Sequence, residues 1–150
     1  MPVLAKNRKA FYEYEIIETY EAGIVLKGHE VKAAKGGKAS LKGSYVVFRD
    51  EEAYLLNAHI SEYQPLNTPD SYDPERTRKL LLKKSQIRSL IGKKSRKGYT
   101  IIAIKMYTKQ GKVKVEIALA KGKSKPDKRE DIKKREAERK AQRAMKEDYY

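Results

Sequence analysis

Cysteine is absent from the 150 residues. That excludes disulfides, thiol catalysis and cysteine-based zinc sites together, and it fits the reducing cytoplasm in which the chain is expected to work. Tryptophan is absent as well, and phenylalanine occurs twice against eleven tyrosines. Tyrosine offers a flat apolar face with a polar tip, suited to the edge of a core or to stacking on a base. Long apolar runs are missing: none approaches the roughly 18 residues of a spanning helix. The N-terminal MPVLAKNRKAF has no signal-peptide core, Met1 is not followed by glycine, and no C-terminal cysteine offers a prenylation site. No membrane partner is expected. Histidine is scarce, and His29 and His59 sit in no ligand-spaced motif; both read as surface or barrel-edge residues. Gly36-Gly37-Lys38 lacks the spacing of a phosphate-binding P-loop. No cofactor, metal site or enzymatic activity is expected, although Glu13, Glu15, Glu18 and Glu21 are the one grouping that an RNA-processing enzyme could use.

Basic charge is plentiful. Thirty-five Lys+Arg against 20 Asp+Glu give +15, a balance that argues for a polyanionic partner through Coulomb attraction and counterion release. Residues 71–100 hold ten basic and two acidic side chains, too few acids for an ordinary solvated face. With no helix-turn-helix or finger signature, and with tyrosine and lysine interleaved on strands, RNA is the better reading than DNA. Lys32, Arg78, Lys79, Lys121 and Lys123 are the phosphate contacts that charge and position select.

The hydropathy pattern reads as a basic arm over 1–10, then a strand from Tyr12 with Ile17 breaking its alternation and a bend within 18–23. The 18–23 segment could equally hold a bulge; a short helix follows over 28–36, then a short strand or its approach over 39–41 and strands over 44–49 and 53–60, the last two forming a hairpin. A proline-containing loop covers 61–73. Asp73-Pro74 has the form of a helix N-cap and first turn, with Leu80, Leu81, Ile87, Leu90 and Ile91 on one face, a break near Lys83-Lys84, and Gly92 as the stop. Tyr99–Tyr107 and Lys112–Ala120 are strands around a turn at 109–111; in the second, Val113, Val115, Ile117 and Leu119 alternate with charged residues. Gly23, Gly28, Gly36, Gly37 and Gly43 punctuate the 21–45 stretch and mark turns or close backbone approach. After Gly122 the composition changes: residues 121–150 carry +5 and leave +10 for 1–120. Asp127 and Glu130 form a capping box, but only Ile132 and Met145 are large and apolar, so a helix here would form fully only against a partner. About six strands with an inserted helix suggest a mainly β chain with helices: an oligonucleotide-binding (OB) type closed antiparallel barrel with flanking helices over 1–122 and a basic C-terminal tail over 123–150. A β-sandwich is the runner-up.

Seven segments carry a more specific signal: NRKA at 7–10, EAGIVLKGHEVK at 21–32, GKASLKGSY at 37–45, DPERTRKLLL at 73–82, GYTIIAIKMY at 98–107, KVKVEIALAKGK at 112–123 and DKREDIKKREAERK at 127–140. In this order and spacing the chain resembles the SmpB family, the SsrA-binding proteins of bacterial trans-translation. The resemblance implies an OB-type barrel that binds the tRNA-like domain of transfer-messenger RNA (tmRNA) and has no catalytic role. It implies partnership with the ribosome at the decoding centre and mRNA channel. Elongation factor Tu and alanyl-tRNA synthetase are implied indirectly, through tmRNA. It implies RNA-binding roles for Asn7, Glu21 and Leu81: Asn7 hydrogen-bonding a base edge or phosphate, Glu21 accepting from base amino groups or orienting a cation, Leu81 covering a base or packing. It implies a ribosome-binding tail through Asp127, Lys128, Arg129, Lys134, Arg135 and Arg139, unstructured when free and helical on the ribosome. Pro126 stands where the family often has an aromatic residue or histidine, and Ser124 where lysine is usual. Tyr72 replaces a commoner residue with little expected consequence. A generic OB-type ribosomal or translation-factor protein binding rRNA is the alternative.

Overall fold

The computed structural model describes residues 2–63 and 71–123, together with 136, 137 and 139. The element order is β1 (Val3–Lys6), α1 (Ala10–Glu13), β2 (Tyr14–Ile24), α2 (Gly28–Lys35), β3 (Ala39–Ser40), β4 (Tyr45–Arg49), β5 (Glu52–Leu56), β6 (His59–Ile60), β7 (Arg78–Leu81), α3 (Lys84–Lys94), β8 (Tyr99–Lys109) and β9 (Lys112–Gly122). All strand pairs are antiparallel. The sheet runs β1-β8-β4-β5-β7-β2-β9, and pairing of β9 with β8 closes six of these strands into a ring. This is the closed, mainly β architecture with flanking helices that the sequence predicts.

The alternation of β9 explains why it anchors the ring. Val113, Val115, Ile117 and Leu119 are buried in the interior with Ile101, Ala103 and Met106 of β8. The intervening positions of the same two strands, Ile102, Ile104, Ala118 and Ala120, point out of the barrel and form a second small cluster with Ala10. Small side chains at 10, 118 and 120 let α1 lie close against the wall. Bulges sit between Ile16 and Glu18 in β2 and between Ala103 and Lys105 in β8. Each inserts one residue and bends its strand, as closure requires, and Ile17 is the residue whose apolar character broke the alternation.

Several expectations are corrected. Residues 3–6 are a strand on the edge of β8, not an arm. The strand predicted from Tyr12 begins at Tyr14, because 10–13 form one turn of helix over the alanine patch. No bend interrupts 18–23, since β9 pairs along that whole length. The 53–60 strand divides at Asn57, whose φ of 63° turns the chain; β5 stays in the ring while β6 pairs with β3. Gly92 lies inside α3, which runs on to Lys94.

The largest correction concerns residues 73–82, predicted as helix. Asp73 Oδ1 accepts the Glu75 N–H at 2.9 Å, and Asp73 O accepts the Arg76 N–H at 3.1 Å. The same Asp-Pro signal therefore closes a turn. Beyond it Arg78 and Leu80 point inward while Lys79 and Leu81 point outward, the period of a strand. The cause is a carboxylate 48 residues away. Glu30 of α2 is fully buried. Its Oε2 accepts from Arg78 Nε at 2.9 Å, Arg78 Nη2 at 2.7 Å, Arg76 Nε at 3.0 Å and the Tyr72 hydroxyl at 3.1 Å. Its Oε1 accepts from Arg76 Nη2 and from the Lys27 N–H. Arg78, also fully buried, spends its other donors on the carbonyls of Ala58, Pro74 and Arg76. The one Tyr72 hydroxyl proton is shared between Glu30 and Ile60 O, which lies 2.8 Å away, so the presence of Tyr72 has a consequence that the sequence did not reveal.

Burial alone would raise the Glu30 pKa; the hydrogen bonds of Arg76, Lys27 and Arg78 outweigh it and lower the value from 4.5 to about 2. A lowered folded-state pKa means that the unfolded chain binds more protons in this window. Stability is then fully present above about 4.5 and is lost as pH falls towards 2. Glu30→Gln leaves two guanidiniums without their counter-charge and is expected to cost about 3–5 kcal/mol at neutral pH. Urea unfolding as a function of pH checks both: the wild type loses stability across that acid range, and the variant's profile is flatter there.

Candidate nucleic-acid interface

Five strands, β1, β8, β9, β2 and β7, present one continuous outer face. Their register sets Lys6, Lys105, Glu116 and Glu21 in one row, and Val3, Tyr107, Lys114, Gly23 and Leu81 in the next. Two sequence-predicted residues, Glu21 and Leu81, thus come together. The Tyr107 hydroxyl donates to Glu21 Oε2 at 2.5 Å, and Lys109 Nζ lies 3.4 Å from both carboxylate oxygens. The Tyr107 hydrogen bond lowers the Glu21 pKa, against some burial and helped by Lys109 and Lys114. Burial, then the Glu21 contact, raises that of Tyr107. The carboxylate is consequently ionised, aimed and set among lysines. It can accept from a base amino group while the ammoniums meet phosphates.

Leu81 is 53% exposed. Its side chain lies across Gly23, where a Cβ would stand only 3.2 Å from Leu81 Cβ. Gly23 therefore lets an apolar plate lie flat on the sheet beside Glu21. Leu81 both packs and remains available to cover a base. A cavity of about 390 Å³ beside it has a mixed lining, Lys79, Lys83 and Lys84 facing Glu51 and Glu52 across leucines.

Other predicted contacts fall elsewhere. Asn7 is buried: Nδ2 donates to Ala103 O at 3.0 Å and Leu41 O at 3.2 Å, and Oδ1 accepts from Ala10 N at 3.3 Å. Its amide is occupied in joining β8, α1 and the loop before β4. The expectation for Arg78 is corrected, because a guanidinium with no exposed surface and a full set of internal acceptors cannot meet a phosphate. Lys79 is half exposed and 3.0 Å from Glu52. Lys32 is exposed, with Nζ 6.0 Å from the Tyr63 ring. Lys121 and Lys123 stand at the other end of β9, the first 5.9 Å from the Tyr99 ring centroid, the second donating at 3.1 Å to Phe11 O. Asp127, Lys128, Arg129, Lys134 and Arg135 lie outside the described residues; Arg139 is exposed on helical backbone.

The residues missed are Lys105, Tyr107, Lys109 and Lys114. Outward alternation in the two clearest strands is the signal that could have found them. The carboxylates considered for an enzyme do not converge: Glu13 pairs with Lys9, Glu18 with Lys93 at 2.6 Å, and Glu21 with Tyr107. Among the described residues no group of three His, Asp or Glu could hold a metal ion, and no helix is long and apolar enough to cross a membrane.

The family model described as SmpB protein matches residues 4–147. The SsrA-binding protein of Nostoc punctiforme is 54% identical over 144 residues, covering 96% of this chain and 93% of the relative. That of Cupriavidus necator is 51% identical over 145 residues, covering 97% of each. A solved structure described as "tmRNA-SmpB: a journey to the center of the bacterial ribosome" superposes with a TM-score of 0.69 at 45% identity, over 88% of this chain and 95% of that one.

The geometry separates two kinds of lysine and arginine by experiment. Lys109→Ala and Lys114→Ala are each expected to lower the slope of log affinity against log salt by about 0.7–0.9 with little loss of stability. Arg78→Ala is expected to lower the melting temperature instead. RNA binding across a salt series, beside thermal unfolding of each variant, makes the distinction.

Proposed function

The chain belongs to the SmpB family, and from that premise we propose that it is a non-catalytic RNA-binding adaptor. It binds the tRNA-like domain of tmRNA and brings it to stalled ribosomes for trans-translation in the cytoplasm. The observation that carries this reading is the outer sheet face. There an ionised Glu21, fixed by Tyr107, and a Leu81 laid flat over Gly23 stand among Lys105, Lys109 and Lys114. Carboxylate, apolar plate and cations are the three contact types that RNA shape and unstacked bases call for. The 45% identity to a structure described by tmRNA, SmpB and the ribosome supports the choice of RNA.

In this reading residues 1–122 form the tmRNA-binding body and 123–150 the tail. The tail's Asp127, Lys128, Arg129, Lys134, Arg135 and Arg139 occupy the empty mRNA channel near the decoding centre, where a helix gains the partner its composition lacks. Elongation factor Tu and alanyl-tRNA synthetase meet the protein through the RNA that all three share.

A pull-down from bacterial lysate tests the reading: tmRNA enrichment is expected, and rRNA fragments alone would overturn it in favour of a generic rRNA-binding protein. Truncation after Gly122 is expected to leave tmRNA affinity nearly intact and to abolish tagging on stalled ribosomes. Tagging that survives the truncation would remove the tail from the mechanism.

A further inference from the structure

On the other edge of β8, away from β9, two strands share one partner. β1 pairs with Lys105 and beyond, while β4 pairs at Ile102. Between them the strands diverge, and Asn7 closes the back of the gap through its contacts with Ala103 O and Leu41 O. The front stays open as a cavity of about 270 Å³ whose lining includes Lys9, Tyr14, Lys42, Gly43 and Tyr45, with one acid, Glu13, beside Lys9. That volume lies just under the range of pockets for drug-sized ligands, roughly 300–1,000 Å³, and suits a single ring system.

The lining has the chemistry of a nucleotide. Tyr45 is 37% exposed, and neither its phenol nor that of Tyr14 has a hydrogen-bond partner among the described residues, so both rings keep a polar tip to offer. Gly43 has a φ of 75°, and no atom lies within 4 Å of where its Cβ would stand; the approach is open and the backbone bare. Lys42 is exposed at the mouth, and Lys9 adds a second cation there although it also meets Glu13 at 3.4 Å.

We propose that this seam is a second RNA contact, a pocket that takes one unstacked nucleotide with its base against Tyr45 and its phosphate at Lys42. The inference rests on the RNA-adaptor reading but uses neither Glu21 nor Leu81. Aromatic stacking is sequence-tolerant because every base has a π-face, so the pocket holds a flipped or single-stranded residue without demanding its identity. The nucleotide could belong to tmRNA or to ribosomal RNA, and two binding arms separate them.

Full-length wild type, Tyr45→Leu, Tyr45→Phe and Lys42→Ala are compared for affinity to the isolated tRNA-like domain of tmRNA and to purified ribosomes. Tyr45→Leu is expected to weaken binding about tenfold in at least one arm, with Tyr45→Phe near wild type because the ring suffices. Lys42→Ala, exposed and outside the packed core, is expected to weaken the same arm and lower its salt slope by about 0.7–0.9. Loss in the first arm alone assigns the nucleotide to tmRNA, and loss in the second alone assigns it to rRNA. Unchanged affinity of both Tyr45→Leu and Lys42→Ala in both arms overturns the pocket while wild-type tmRNA binding leaves the adaptor reading standing. A wild type that binds neither RNA overturns both.

Discussion

The fold depends on one buried carboxylate. Glu30 has no exposed surface and is gripped by Arg76, Arg78 and Tyr72 from a segment more than 40 residues later. Removing three charges from water offsets much of their mutual attraction, so such a cluster adds little net stability over a well-packed apolar equivalent. Its effect is positional. Arg78 must point inward to reach Glu30, and period two then sends Lys79 and Leu81 outward. That choice makes 78–81 a strand, and β7 is the stave that joins β5 to β2 and completes the ring. A leucine on the outer face of the sheet is thus a consequence of an arginine in the core.

This explains why the sequence revealed some elements and hid others. Strands β8 and β9 were legible because their signals are local: β-branched and aromatic content in the first, alternation of apolar and charged residues from Lys112 to Leu119 in the second. The hairpin turn at Gln110-Gly111, the helix at 28–35 and the irregularity at Ile17 are equally local. The 73–82 segment was not, because its decisive partner lies on α2. Asp73-Pro74 opens a turn or a helix equally well, and Leu80-Leu81 fits either period until Arg78 is anchored. Charge misled in the same way. Arg78 resembles a phosphate contact in a basic segment, and only the distant Glu30 turns it inside. Asn7 was missed as a structural residue for a related reason, since its acceptors sit 34 and 96 residues away.

At the candidate interface the resemblance located Glu21 and Leu81, and register supplied the rest. Gly23 is the hinge between the two readings. In sequence it is one glycine among several. In the sheet it is the position opposite Leu81 and two residues from Glu21, and its missing side chain lets the leucine lie flat. A side chain at 23 would press against Leu81 and lift it from the sheet.

The distribution of acids completes the electrostatic account. On the body Glu13, Glu18, Glu21, Glu30, Glu52 and Glu116 each meet a cation or an arginine pair. Each such pair is locally near neutral, and exposed pairs of this kind stabilise the fold only weakly. What remains to project a field is the surplus of lysines, +10 over residues 1–120 and +5 over 121–150. Salt therefore acts on the two properties unequally. It screens the surplus charge that draws RNA in, but hardly reaches Glu30 and Arg78 behind the barrel wall. The body can release its partner by ionic strength alone while keeping the register that shapes the interface.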